Sequence, residues 1–251
     1  LEVHRRHAPG STNRSFETTF RTVFEDIAQQ FKNQQLHVIA LGPGGGEKEG
    51  WLLDQLKAAG CTLRYTPIDG GLELALLSAE LATSIAGSDI HPIVGDLSLI
   101  TELPEWLNRF PRDETRLYTA FGLTPNFFPS WLFHKISSTL RKEDILLLSA
   151  NLAPTDSTHC EESYRKGCET VLPQYDNPET IAWLTQVLID WGIRESLSAP
   201  KFHIESFENI LGFSLESKWL KKSEFEWENE LFRAQRGDKL RLFFSLRYTP
   251  T

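Results

Sequence analysis

The chain has 251 residues, 40% of them hydrophobic and 24% charged, with a net charge of -8 from 26 basic and 34 acidic side chains. That balance suits a globular protein and gives no general attraction for phosphate backbones, so no nucleic-acid partner is expected. No apolar run reaches the roughly 20 residues that span a bilayer, so no membrane helix is expected either.

Residues 1–14 read as a loose N-terminal arm, and 15–251 as a single domain. Phe16 to Phe31 carries apolar residues at helical spacing. Leu36 to Leu41 is a short apolar run stopped by glycines, the pattern of a buried parallel strand. A helix over Glu49 to Ala59, a strand over Thr62 to Ile68 and a helix over Leu72 to Ile85 follow. Ile90 to Val94 reads as a third strand, Leu99 to Phe110 as helix, and Leu117 to Phe121 as a fourth strand. Trp131 to Leu140 reads as helix and Ile145 to Leu148 as a fifth strand. Residues 153–200 read as a helical insertion, expected on the substrate side, with helices expected over Asp156 to Cys168 and Pro178 to Trp191. From Lys201 onward, alternating segments at Gly212 to Leu220, Phe225 to Ala234 and Leu240 to Tyr248 predict antiparallel strands, with Arg236-Gly237-Asp238 turning between the last two. The alternation predicts an α/β, Rossmann-like fold: a mainly parallel sheet with antiparallel C-terminal strands and helices on both faces.

The segment Gly42-Pro43-Gly44-Gly45-Gly46-Glu47-Lys48 lies between the first strand and the first helix of the sheet. Glycines there allow a sharp turn and close approach of a ligand to the backbone. A mononucleotide phosphate loop is excluded, because Glu47 stands where its second glycine belongs and Glu49 where its serine or threonine belongs. A dinucleotide fingerprint lacks its third glycine, and Glu47 would repel a pyrophosphate. A cationic ligand without phosphate, such as S-adenosylmethionine, tolerates these acids. Asp69 ends the second strand, where a carboxylate can accept both hydroxyls of a ribose. Asp96 follows the third strand beside Leu97, an acceptor and an apolar cover suited to an adenine. A helix cap is the simpler reading of either acid taken alone.

Together these residues resemble the histidine Nα-methyltransferases of ergothioneine biosynthesis, a branch of the class I methyltransferases. Leu41-Gly42-Pro43-Gly44 with Lys48 and Leu52-Leu53-Asp54 is similar to that family's glycine turn, lysine and helix. Arg64-Tyr65-Thr66-Pro67-Ile68-Asp69 is similar to its second strand, and Gly95-Asp96-Leu97 to its adenine-binding pair. Phe121 to Pro129, with Asn126, resembles its asparagine loop, and Tyr175-Asp176-Asn177 its acceptor-side tyrosine segment. Phe244-Ser245-Leu246-Arg247-Tyr248 resembles its closing strand. The resemblance implies S-adenosylmethionine held by Gly42, Pro43, Gly44, Lys48, Asp69, Asp96, Leu97 and Phe121. It also implies a small-molecule methyl acceptor met by Asn126, Tyr175, Phe243 and Ser245, with Tyr175 and Asn126 acting in catalysis.

The departures fall on the acceptor side. Phe243 stands where the family carries a glutamate for the imidazole, Leu123 where it carries a threonine, and Trp183-Leu184-Thr185-Gln186 lacks its asparagine. The expected activity is therefore direct methyl transfer to an amino-acid or amine nitrogen, with histidine itself disfavoured. Two alternatives stay open: a non-catalytic S-adenosylmethionine-binding module, and an NAD(P)-dependent oxidoreductase. Seven histidines without ligand spacing predict no metal site. Ser130 and Ser149 lack the setting of a hydrolase nucleophile. Cys61, Cys160 and Cys168 form no CxxC pair and read as free thiols of a cytoplasmic protein.

Overall fold

The computed structural model describes residues 13–87, 89–111, 114–154, 161–227 and 230–249. The expected arm falls outside them up to residue 12; from Asn13 the chain is helical. Two compact units divide the chain between Ala150 and Asn151.

The first unit runs α1 (Asn13–Gln30), β1 (Gln35–Leu41), α2 (Glu47–Ala58), β2 (Thr62–Asp69), α3 (Leu72–Ala86) and β3 (Ile93–Val94). It continues through a 3-10 turn (Leu97–Glu102), α4 (Leu103–Trp106), β4 (Thr115–Ala120), α5 (Pro129–Thr139) and β5 (Ile145–Leu148). The five strands pair in parallel in the order β3-β2-β1-β4-β5. Side chains alternate between the two faces of a strand. Leu36, Val38 and Ala40 therefore pack on one side with Phe24 and Ala28 of α1 and Leu52, Leu53 and Leu56 of α2. Ile39 and Leu41 pack on the other with Ile100, Leu103 and, from α5, Leu132 and Ile136. Helices cover both faces, which is why β1 reads as an unbroken apolar run.

In the second unit come α6 (Glu161–Val171), α7 (Pro178–Asp190), β6 (Lys201–Phe207), β7 (Ile210–Lys218), β8 (Ser223–Trp227), β9 (Glu230–Ala234) and β10 (Lys239–Leu246). Asn177 caps α7, its Oδ1 accepting from Thr180 N at 2.9 Å, and Pro178 takes the first helical position. The antiparallel strands form sheets of their own, β10-β7-β6 and the hairpin β8-β9.

Several spans differ from expectation. The third strand shrinks to Ile93–Val94, with Ile90 making a lone bridge to Tyr65. The helix expected over Leu99 to Phe110 is a 3-10 turn followed by one α turn that carries Pro104 near its start. Phe225 to Ala234 is not one strand but the β8-β9 hairpin, since both arms alternate and period alone does not mark the reversal. The Arg-Gly-Asp turn, with Gly237 at φ 95°, leads from β9 into β10, whose partner is β7.

Candidate functional site

The glycine turn follows β1 at the centre of the parallel sheet. Gly42, Gly44 and Gly46 all have positive φ, at 63°, 58° and 77°. The space around them differs. A Cβ on Gly42 would meet Leu97 at 3.2 Å and Leu123 at 3.3 Å, and one on Gly46 would sit 2.4 Å from Ser78 Oγ. A Cβ on Gly44 or Gly45 would meet nothing within 4 Å. The outer glycines therefore serve packing, and the middle two border open space that a ligand can enter. Glu47 and Glu49 occupy the first turn of α2 behind that space. A cationic or zwitterionic ligand suits such a cradle better than a phosphate.

Asp69 reaches this turn from the end of β2. Its Oδ2 accepts from Gly44 N at 3.2 Å and its Oδ1 from Gly71 N at 3.0 Å. A carboxylate has about four acceptor sites, so two amides leave capacity for ligand hydroxyls. Asp96 is exposed and caps the following 3-10 turn, Oδ1 accepting from Ser98 N at 2.7 Å. The Ser98 hydroxyl, and then the Ser98 amide, hold its carboxyl below the ordinary value. Leu97 lies beneath Gly42. The capping role weighed for both acids holds for Asp96 alone; Asp69 accepts from Gly71, itself the N-cap of α3, and from Gly44, and so braces the glycine turn.

Lys48 Nζ donates to the backbone carbonyl of Phe121, joining α2 to the end of β4. Burial lowers its pKa, opposed by Glu49 and Glu47. The Phe121 ring packs in the core against Phe24 and Phe20 at 5.2 and 5.9 Å between centroids, so its carbonyl rather than its face borders the turn. Asn126 sits on an exposed 3-10 turn after β4, its Nδ2 donating to Gly122 O at 3.2 Å. Pro43 stands within the turn between the two glycines. Glu49 was not expected as part of this region. It is 2% exposed, accepts from Thr119 Oγ1 at 3.3 Å, and burial pushes its carboxyl up to about 7.

In the second unit the structure brings together three of the four side chains expected at the acceptor. The Tyr175 hydroxyl lies 3.3 Å from Ser245 Oγ, and its ring packs 5.6 Å from that of Phe243. Alternate residues of an extended strand share a face, so Phe243, Ser245 and Arg247 belong to one row. Arg247 is the member sequence reading passed over. It is 5% exposed, Nη2 donates to Tyr175 Oη at 2.6 Å, and its guanidinium lies over the Tyr175 and Phe213 rings at 5.2 and 5.4 Å. Nothing in an alternating strand marks a cation as inward-facing before the sheet is built. Among the described residues no group of three or more His, Cys, Asp or Glu is placed to hold a metal, and no helix is long and apolar enough to cross a membrane.

Residues 17–251 match the family model described as histidine-specific methyltransferase, SAM-dependent. The chain is 25% identical over 177 residues to a histidine N-alpha-methyltransferase from Mycobacterium tuberculosis, covering 69% of this chain and 50% of that one. It thus spans about half the length of this curated relative. Similar solved structures include coclaurine N-methyltransferase bound to N-methylheliamine and SAH, with 16% identity, 56% and 37% coverage and a TM-score of 0.37. Another is the O-methyltransferase TomG from Streptomyces achromogenes in complex with SAM, with 15% identity, 81% and 84% coverage and a TM-score of 0.37.

Proposed function

Since the chain belongs to the histidine-specific, SAM-dependent methyltransferase family, we propose that it transfers a methyl group from S-adenosylmethionine to a nitrogen of a small amino acid or amine. The observation that carries this reading is the clasp of Asp69 on Gly44 beside open space at Gly44 and Gly45. Gly44, Gly45 and Asp69 would hold the amino-acid and ribose parts of the cofactor, and Asp96 with Leu97 its adenine. The sulfonium supplies a methyl group already reactive toward a neutral nitrogen. The protein's task is then to bind, orient and dehydrate, and orientation of this kind can be worth roughly 7–11 kcal/mol.

We assign acceptor recognition in the second unit to Tyr175, Phe243 and Ser245. Ser245 and Tyr175 offer hydroxyls that can hold an amine or take part in moving its proton. Phe243 offers only a ring face, which favours a methylated cation but accepts nothing from an imidazole N–H. Free histidine is therefore expected to be a poor acceptor, since an unpaired buried donor costs about 1–3 kcal/mol.

The test has two stages. Calorimetry should show S-adenosylhomocysteine binding and no NAD binding; the reverse would replace methyl transfer with oxidoreductase chemistry. Mass spectrometry on a panel of amino acids and amines should then detect methylated product, with histidine among the weakest substrates. Tight S-adenosylhomocysteine binding without turnover of any acceptor would leave a cofactor-binding module.

A further inference from the structure

A cavity lies at the other end of the parallel strands. Arg116 is the second residue of β4 and pairs with His37 of β1. Gly42 lies five positions after His37, roughly 16 Å along an extended strand, so this end faces away from the glycine turn. The cavity measures about 270 Å³. Its polar lining is Asn108, Arg116, Tyr118, Thr139 and Arg141, and Leu107 with Pro104 forms an apolar wall.

Arg116 is the reason to expect a ligand. It is 7% exposed, and its Nε makes no hydrogen bond. Nη2 reaches the carbonyl of Pro111 at 3.5 Å, and the side chain also hydrogen-bonds the Tyr118 hydroxyl, so neither of its partners carries a formal negative charge. Among the described residues no carboxylate lies within ion-pair distance of it. A buried cation without a counter-charge is costly, and a bound anion removes that cost. Arg141 does not share the problem, because Asp144 Oδ1 lies 2.6 Å from its Nη2. With Arg141 paired to Asp144, the unmet charge at the cavity is that of Arg116, whose Nε has no partner, and a singly charged carboxylate answers it. The Tyr118 phenol lies beside Arg116, and burial, followed by the Asp144 charge, raises its pKa. It therefore keeps its proton and can donate. The volume exceeds the ~150 Å³ that accommodates a benzene-sized guest.

We propose that this cavity is a second binding site, for a small monocarboxylate with an apolar body. The carboxylate takes Arg116 Nε and the Tyr118 hydroxyl, and the apolar part lies along Leu107 and Pro104. This inference is independent of the methyl-transfer reading.

Benzoate is a suitable probe, with acetate and inorganic phosphate as comparisons, in calorimetry on the whole chain. Benzoate is expected to bind saturably and more tightly than either comparison ion. Arg116→Gln should weaken it about tenfold or more, the loss of a charge-assisted bond, while the far-ultraviolet spectrum is unchanged. Absence of saturable benzoate binding overturns the proposal, as does equal binding by the variant. Tighter binding of phosphate than of benzoate overturns the ligand class. If Arg116→Gln does not fold, Asn108→Trp serves instead, since Asn108 is an exposed lining residue. A tryptophan there should block binding, and undiminished affinity would overturn the site.

Discussion

Asp69 accepts a hydrogen bond from the backbone N–H of Gly44 at 3.2 Å, tying the end of β2 to the turn that follows β1. One side chain thus shapes the glycine turn and offers its remaining lone pairs to a ligand. Asp69→Ala should lower S-adenosylhomocysteine affinity at least tenfold, because bonds to a charged group are worth about 1.5–3 kcal/mol each and the turn loses its brace. Asp69→Asn should lose less, since one carbonyl oxygen can still hold an amide. Calorimetry on folded variants decides. An unchanged affinity in Asp69→Ala would reduce the residue to a loop brace.

The middle and last glycines separate ligand approach from folding. Both Gly44 and Gly46 are left-handed, a conformation costing an L-residue roughly 1–2 kcal/mol. Gly44→Ala should add little beyond that, yet weaken the cofactor analogue by placing a methyl group in open space. Gly46→Ala must also displace Ser78, whose Cα lies 2.9 Å from the new methyl. Its destabilisation should exceed that of Gly44→Ala by about 1–3 kcal/mol in urea unfolding. Equal stability losses would contradict the packing role given to Gly46.

Glu49 predicts a pH signature. Burial raises its folded pKa from 4.5 to about 7, so the folded state holds its proton more tightly than the unfolded state does. The resulting penalty is absent below pH 4.5, grows between 4.5 and about 7, and is fully present above that. It amounts to about 3 kcal/mol at most. Glu49→Gln should therefore be more stable than the parent at pH 8 and should flatten this part of the stability curve. A parent and variant whose difference does not change between pH 5 and pH 8 would show that Glu49 titrates normally.

Tyr175→Phe should act on turnover and stability together. It removes the acceptor of the Arg247 Nη2 bond at 2.6 Å and leaves a buried guanidinium short of a partner. A loss of about 1–3 kcal/mol in denaturant unfolding is expected. Methyl transfer should fall while S-adenosylhomocysteine affinity stays within about threefold, since the cofactor half is untouched. Full turnover in the variant would remove Tyr175 from the acceptor site.

The parallel half of the molecule was legible because its signals are local. LHVIAL followed by glycines marks β1, and Arg64 to Asp69 marks β2 together with the acid at its end. Each expected cofactor residue lies in an element adjoining the turn or closing a neighbouring strand. What escaped was decided by packing. Glu49, Arg116 and Arg247 are charged residues that a periodicity count places in water, yet each is less than 10% exposed. Their burial depends on Thr119, Tyr118 and Tyr175, respectively 70, 2 and 72 positions away. The β8-β9 reversal escaped for another reason, since alternation is the same on both arms of a hairpin.

The chain leaves β1 into α2 on one face of the sheet and leaves β4 into α5 on the opposite face, although β1 and β4 are neighbours. The two connections therefore part above the ends of these strands, and a crevice opens at this switch in winding direction. It arises from connectivity alone. Substituting the glycines changes what can enter the crevice, but only rewiring the strands would abolish it.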